Sequence, residues 1–385
     1  MSYVLYFSLV TIIFLIFVIC KHNKINTFIT LILTLIIIFF ILNPKGIIAS
    51  SKNGAILFFN SVFPTLFPFL VVTDILIQYG GINIYSKIFG PILCKPLRLP
   101  KESSLTLIVS ALCGYPLGAK YACSLYEENQ ISFGSLKRLL NIASNVSPLF
   151  IMGTIASSML NVPKVGYILL SVSYLSCFVM AIILPSDSSN YNSYNYSSIN
   201  HNKSFGATLK EALDRSLGTS LSVGTFIIIF SVFTCIIEKL SIFNSFISIL
   251  STILNLPRDA VKGFTFGLLE MTNGCNILAH CNISMALKVS LISFLCSFSG
   301  LCIIFQVYSF VYKIKDISIS RYIFRKFLQG IISFILTYVA LSFIPIEVPA
   351  SSISAYRNFS FMIPSIMLIT LTFISIKLKN LLHIS

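Results

Sequence analysis

The chain has 385 residues, of which 56% are hydrophobic and only 10% charged, and its mean hydropathy is +0.90. A soluble domain carries about a quarter charged residues, so a soluble globular fold is excluded. The formal charge of +15 is read as loop Lys and Arg that meet anionic lipid and set topology, with no nucleic-acid partner.

Apolar runs of near-spanning length occur at Tyr3–Cys20, Thr27–Leu42, Val165–Leu184, Leu221–Ile237 and Phe359–Ile376. About 20 apolar residues cross the hydrocarbon of a bilayer. The runs are continuous rather than alternating, which selects helices over a barrel. Tyr3–Cys20 has no basic residue before it and only Lys21-His22-Asn23-Lys24 after it, so it reads as a retained span. An irregular zone is expected over Asn43–Asn53. Pro64 and Pro68 then predict a kinked helix.

From Ser103 to Leu112 the pattern predicts a helix of about 15 Å, half the hydrocarbon thickness. Gly114-Tyr115-Pro116-Leu117-Gly118 interrupts it, and the chain resumes over Ala119–Tyr126 before Glu127-Glu128. Glycine permits unusual backbone angles and proline stops the hydrogen-bond ladder. The expected form is a re-entrant hairpin with its tip near the midplane, where irregular backbone must be buried or line a wet cavity. A second break, Asn145-Val146-Ser147-Pro148, interrupts the predicted helix Ser135–Met159. The stretch Pro185–Ser204, rich in Ser, Asn and Tyr, reads as a polar linker.

The second half echoes the first. Leu97-Arg98-Leu99-Pro100-Lys101-Glu102 aligns with Leu254-Asn255-Leu256-Pro257-Arg258-Asp259 at an offset of 157 residues. The same offset sets Gly114-Tyr115-Pro116 against Met271-Thr272-Asn273, and Ser144–Leu149 meets Cys296–Leu301 at 152. The fold class expected is an all-α membrane protein, a polytopic helical bundle with two repeats, read as inverted, each holding a re-entrant hairpin and a broken helix. The expected divisions are residues 1–53 (two spans and a connector), 54–184 (first repeat), 185–206 (linker), 207–343 (second repeat) and 344–385 (outer loop and last span).

No catalytic motif is present: there is no HExxH, GxSxG or P-loop, and the four histidines are scattered. An enzyme is not expected, nor a cofactor or metal. The ten cysteines form no CxxC pair and read as small apolar core residues. Lys313, Lys315, Arg321, Arg325 and Lys326 read as one cytosolic cluster, with Glu347 and Arg357 in an outer loop and Lys377 and Lys379 back in the cytosol.

The candidate solute-binding residues are those of the breaks: Gly114, Tyr115, Pro116, Gly118, Lys120, Asn145, Ser147, Glu270, Thr272 and Asn273. Lys120 suits a substrate carboxylate, or else pairs with Glu127 or Glu128. Glu270 is an intramembrane carboxylate and a default functional candidate, placed toward a coupling cation or proton; its bland alternative is a salt bridge. Asn145, Ser147, Thr272 and Asn273 also suit helix caps.

These residues carry a resemblance. Leu66-Phe67-Pro68-Phe69-Leu70, Gly114–Lys120, Ser144–Phe150, Phe205-Gly206 with the helix Leu209–Leu217, and Gly267–Gly274 together resemble the YlbJ-type sporulation integral membrane proteins of endospore-forming Firmicutes. The likeness covers about Leu57 to Leu341; the first two spans and the linker depart from it. It implies nucleoside-recognition gate regions similar to those of concentrative nucleoside transporters, and a role in late spore development. The implied activity is movement of dipicolinic acid, a small aromatic dianion, from the mother cell across the outer forespore membrane. A coupling ion such as H+ or Na+ fits this reading, as does a homo-oligomer; membrane lipid is the other partner. A nucleoside or nucleobase carrier and a non-transporting scaffold for the spore envelope are the alternatives.

Overall fold

The computed structural model describes residues 24–184 and 204–343, which form helices joined by short turns and breaks, without strands among the described residues. The runs Tyr3–Cys20 and Phe359–Ile376, the outer loop with Glu347 and Arg357, Lys377 and Lys379, and nearly all of the linker lie outside the described residues.

Helix α1 (Lys24–Leu42) is followed by α2 (Pro44–Leu57), which occupies the zone expected to be irregular. Pro44 sits in the first turn, where its missing N–H costs nothing. The two helices meet at 101°. α2 then packs along a later helix, and Gly54 allows the approach: a Cβ there would lie 3.0 Å from the Ile228 Cα. A π-helical turn, Phe58–Val62, leads into α3 (Phe63–Gln78), with Pro64 in its first turn and Pro68 inside it. The sharp bend follows α3: Leu66–Gln78 and Gly81–Ile88 (α4) stand at 89°.

Next comes the first hairpin, α5 (Ser104–Cys113) and α6 (Leu117–Glu127), close to the boundaries the sequence predicts. The expected helix Ser135–Met159 is three pieces: α7 (Phe133–Ile142), an extended break, and a π-helical segment, Phe150–Met159. Ser132 caps α7 by accepting from the Ser135 amide. The spanning helix α8 (Pro163–Ile183) closes this half.

The second half opens with α9 (Phe205–Lys239). At 35 residues it is about 52 Å long, so it outruns the hydrocarbon. There follow α10 (Ser241–Leu254), a hairpin of α11 (Arg258–Leu269) and α12 (Met271–His280), a broken helix of α13 (Met285–Phe298) and α14 (Gly300–Val311), and α15 (Ile319–Phe343). Among the described residues four helical stretches are long and apolar enough to cross a membrane, or up to six if each bent pair is one span.

Local backbone geometry recurs between the halves. Arg98 and Asn255 are both left-handed, at φ 52° and 51°. Each turn closes with the same bond, Leu99 N–H to the Cys94 carbonyl and Leu256 N–H to the Ser251 carbonyl. This is the six-to-one bond of a Schellman ending. The prolines that follow have nearly equal angles, −60°/145° and −55°/141°. Packing between the halves is crosswise: α6 lies against α14, and α12 against Phe150–Met159.

Helix α15 packs most extensively on α13, through Ser293, Ser333 and Thr337, whose hydroxyls join at 2.7 Å. Small hydroxyl residues let helices approach and bond in an apolar surrounding. One expectation is corrected here. Lys326 does not belong to a solvated cytosolic cluster; it is fully buried on the same face as these residues. Adjacency to Arg321 and Arg325 suggested a shared fate, but helical phase separates them.

Candidate functional site

The two hairpin tips and the two helix breaks meet. At the first tip Gly114 has φ 81° and ψ −172°, a region open essentially to glycine alone. A Cβ there would also lie 2.6 Å from the Ser147 amide nitrogen, so the tip is pressed onto the first break. The peptide between Tyr115 and Pro116 is cis, and the Tyr115 N–H donates to the Asn145 carbonyl at 2.7 Å. Gly118 is needed for close approach, since a Cβ would sit 1.9 Å from the Ala143 carbonyl oxygen.

The second tip is held differently. Glu270 ends α11 and caps α12: its two carboxylate oxygens accept from the Thr272 and Asn273 amides at 2.9 and 2.8 Å. The helix N-terminus favours this negative charge. The second break is Ser299-Gly300, both at φ 74°. Tyr115 reaches across from the first tip, donating its hydroxyl to the Met271 sulfur at 2.8 Å and to the Cys296 carbonyl at 3.4 Å.

A cavity of about 120 Å³ lies at this meeting point, ample for several waters. Both tips line it through Tyr115, Pro116, Glu270 and Thr272, and the first break through Ser147. Gln306 adds a polar group from α14, and Phe150, Leu66, Val223 and Ile227 supply apolar wall. Among the described residues, Glu270 is the one charged side chain in the lining.

The ten candidate residues therefore divide into three groups. Tyr115, Pro116, Ser147, Glu270 and Thr272 line the cavity. Gly114, Gly118, Asn145 and Asn273 stand behind it, where they fix the tips and the first break. Ser147 is also a cap, accepting from the Phe150 amide at 3.3 Å. Lys120 is elsewhere. Its ammonium lies 3.8 Å from the Asp74 carboxylate, in a separate cavity of about 130 Å³ with Tyr121 and Arg215. Tyr121 donates to the same Asp74 oxygen at 3.1 Å, and Arg215 lies 3.9 Å from the other. Its partner is thus Asp74, which the sequence reading did not weigh, and neither Glu127 nor Glu128.

Other residues escaped the sequence reading. Lys326 donates to the Ser144 carbonyl and to Gln329 Oε1, both at 2.9 Å, and Gln329 donates to Cys177 at 2.9 Å. Cys177 in turn donates to Asn145, so it does more than fill space. Arg138 donates to the carbonyls of Leu97, Ala181 and Leu184, tying the left-handed turn at Arg98 to the end of α8. A signal existed for the first group: Lys326, Gln329, Ser333 and Thr337 recur at three- and four-residue steps, a polar stripe along an apolar helix. Asp74 had one too, as the lone acid of α3.

Comparison with known proteins agrees with the resemblance seen in the sequence. Residues 59–189 match the family model described as Gate, nucleoside recognition. The chain is 26% identical over 311 residues to the sporulation integral membrane protein YlbJ of Bacillus subtilis (strain 168), covering 75% of this chain and 76% of that one. No solved structure matches. The apolar helices and this relative together identify a multi-pass integral membrane protein.

Proposed function

We propose that this protein is a membrane carrier for a small polar aromatic solute in sporulating cells, and that the cavity between the two hairpin tips is its solute site. The observation that carries the proposal is the convergence of Tyr115 from the first tip, Ser147 from the first break, and Glu270 and Thr272 from the second tip on one cavity inside an apolar bundle. A scaffold gains nothing from polar breaks at depth, whereas a carrier needs backbone groups and hydroxyls there.

The substrate proposed first is dipicolinate, moved from the mother cell across the outer forespore membrane, since the relative in Bacillus subtilis is a sporulation membrane protein. A dianion beside Glu270 pays electrostatic repulsion, so it is carried together with protons or a cation that offsets the charge. The second substrate class is a neutral nucleoside or nucleobase. The match to a nucleoside-recognition family and a lining that, among the described residues, holds no cationic side chain favour it. In architecture, the two halves are read as copies of one unit, 54–184 and 207–343, related by a twofold axis. The matched left-handed turns and the crosswise packing of α6 on α14 and α12 on Phe150–Met159 support that reading.

The test is twofold. Dipicolinate content is measured in spores lacking the gene, and uptake of labelled dipicolinate and of nucleosides is measured in liposomes holding the purified protein. Dipicolinate uptake with dipicolinate-poor mutant spores supports the first substrate, and nucleoside uptake alone the second. Uptake of neither, with normal spores, rejects the carrier.

A further inference from the structure

We propose that the first helix break is a monovalent-cation site that the chain fills with its own ammonium group, that of Lys326. A broken helix leaves carbonyl oxygens without amide partners, and the C-terminal end of a half-helix carries partial negative charge. In transporters such places hold a bound cation. Here α7 ends at Ile142, and the Ser144 carbonyl just beyond it accepts from Lys326 at 2.9 Å. Gln329 turns its carbonyl oxygen to the same ammonium at 2.9 Å, and its amide group to Cys177, which donates to the Asn145 side-chain oxygen. Tyr322 closes the shell, with its hydroxyl 2.9 Å from that of Ser144.

Two further observations point the same way. Lys326 is 0% exposed, yet among the described residues no carboxylate pairs with it; its partners are neutral oxygens. Such a shell of carbonyl and amide oxygens is the donor set a hard monovalent cation takes. A lysine at depth without a carboxylate partner is costly, so it persists where a cation is wanted. The second break supplies the contrast. Its corresponding carbonyl, that of Cys296, accepts from the neutral hydroxyl of Tyr115. The cation therefore belongs to one break only, and sodium has no role at that break in the native chain.

The experiment is melting of the purified full-length protein in sodium chloride against choline chloride at equal ionic strength, which needs no substrate. The native protein is expected to melt alike in both salts. Lys326→Ala is expected to melt lower in choline chloride and to show a saturable rise of roughly 5 °C with sodium. Lys326→Met, which fills the space with an apolar chain, is expected to show no rise. Adding Gln329→Leu to Lys326→Ala is expected to abolish the sodium response. A Lys326→Ala protein that melts alike in both salts overturns the proposal, as does a sodium response of equal size in the native protein. If Lys326→Ala folds only in sodium, the proposal is upheld. If it folds in neither salt, Lys326→Ser takes its place under the same criteria, and its failure in both salts also overturns the proposal.

Discussion

Tyr115 and Met271 stand 156 residues apart in the chain, yet the Tyr115 hydroxyl donates to the Met271 sulfur at 2.8 Å. This contact joins the two hairpin tips over the central cavity. Removing the hydroxyl with Tyr115→Phe deletes the contact and the weaker one to Cys296 while keeping the ring. A hydrogen bond of this kind contributes about 0.5–1.5 kcal/mol, so solute affinity should fall roughly 2- to 10-fold. Binding and uptake measured on purified protein check this; unchanged values would show that the tips need no bridge.

Ser147 and Thr272 line the cavity from opposite halves. In a background lacking native cysteines, Ser147→Cys and Thr272→Cys should react with small water-soluble thiol reagents, and bound solute should slow both reactions. Ser176→Cys, at a fully buried position outside the lining, should stay unreactive. Tips that exclude the reagent would remove the solute site from this cavity.

Glu270 has both carboxylate oxygens committed to the Thr272 and Asn273 amides. Glu270→Gln keeps one acceptor and presents an amide where the second stood. Loss of a cap bond costs about 0.5–2 kcal/mol, and a melting point lowered by about 2–4 °C per kcal/mol should follow. Accumulation of solute should suffer more than binding, because the charge facing the cavity is lost as well. Native melting and native accumulation together would leave Glu270 with neither role.

Lys120 and Asp74 form an ion pair in their own cavity, with side chains 17% and 9% exposed. Lys120→Met should therefore lower stability and leave equilibrium binding in the central cavity unchanged. Asp74→Asn should do likewise. The double variant should lose less than the sum, with a coupling of about 0.5–3 kcal/mol. Denaturation of all four proteins measures it, and strictly additive losses would mean the two charges do not interact.

The left-handed residues Arg98 and Asn255 offer a paired test of the recurring turns. An ordinary side chain held left-handed costs roughly 1–2 kcal/mol, whereas Asn is tolerated there. Arg98→Gly should raise the melting point measurably, while Asn255→Gly should leave it almost unchanged. Equal shifts would show that the two turns are not under the same backbone constraint.

Much was legible because it is local. Continuous apolar runs specify α8 and the apolar part of α9, since backbone in lipid must bond within its own segment. Gly114 and Pro116 fix the first tip, because glycine and proline act on their own backbone angles. The recurring Leu-x-Leu-Pro segments marked the two matching turns for the same reason. The Asn43–Asn53 zone misled, because its small and polar residues weaken the apolar signal while serving close packing of α2 on α9.

The partners of charged side chains were decided by tertiary structure. Lys120, three residues past the tip segment's Leu117, points away from the solute cavity because α6 turns that side of the hairpin toward Asp74 of α3. Lys326 leaves its basic neighbours because the rotation of α15 aims it at Ser144, 182 residues earlier. A charge costs most where it is unpaired and dry, so its role depends on which distant helix comes to meet it. Sequence set the helices and where they break; packing of the two halves set what each break holds.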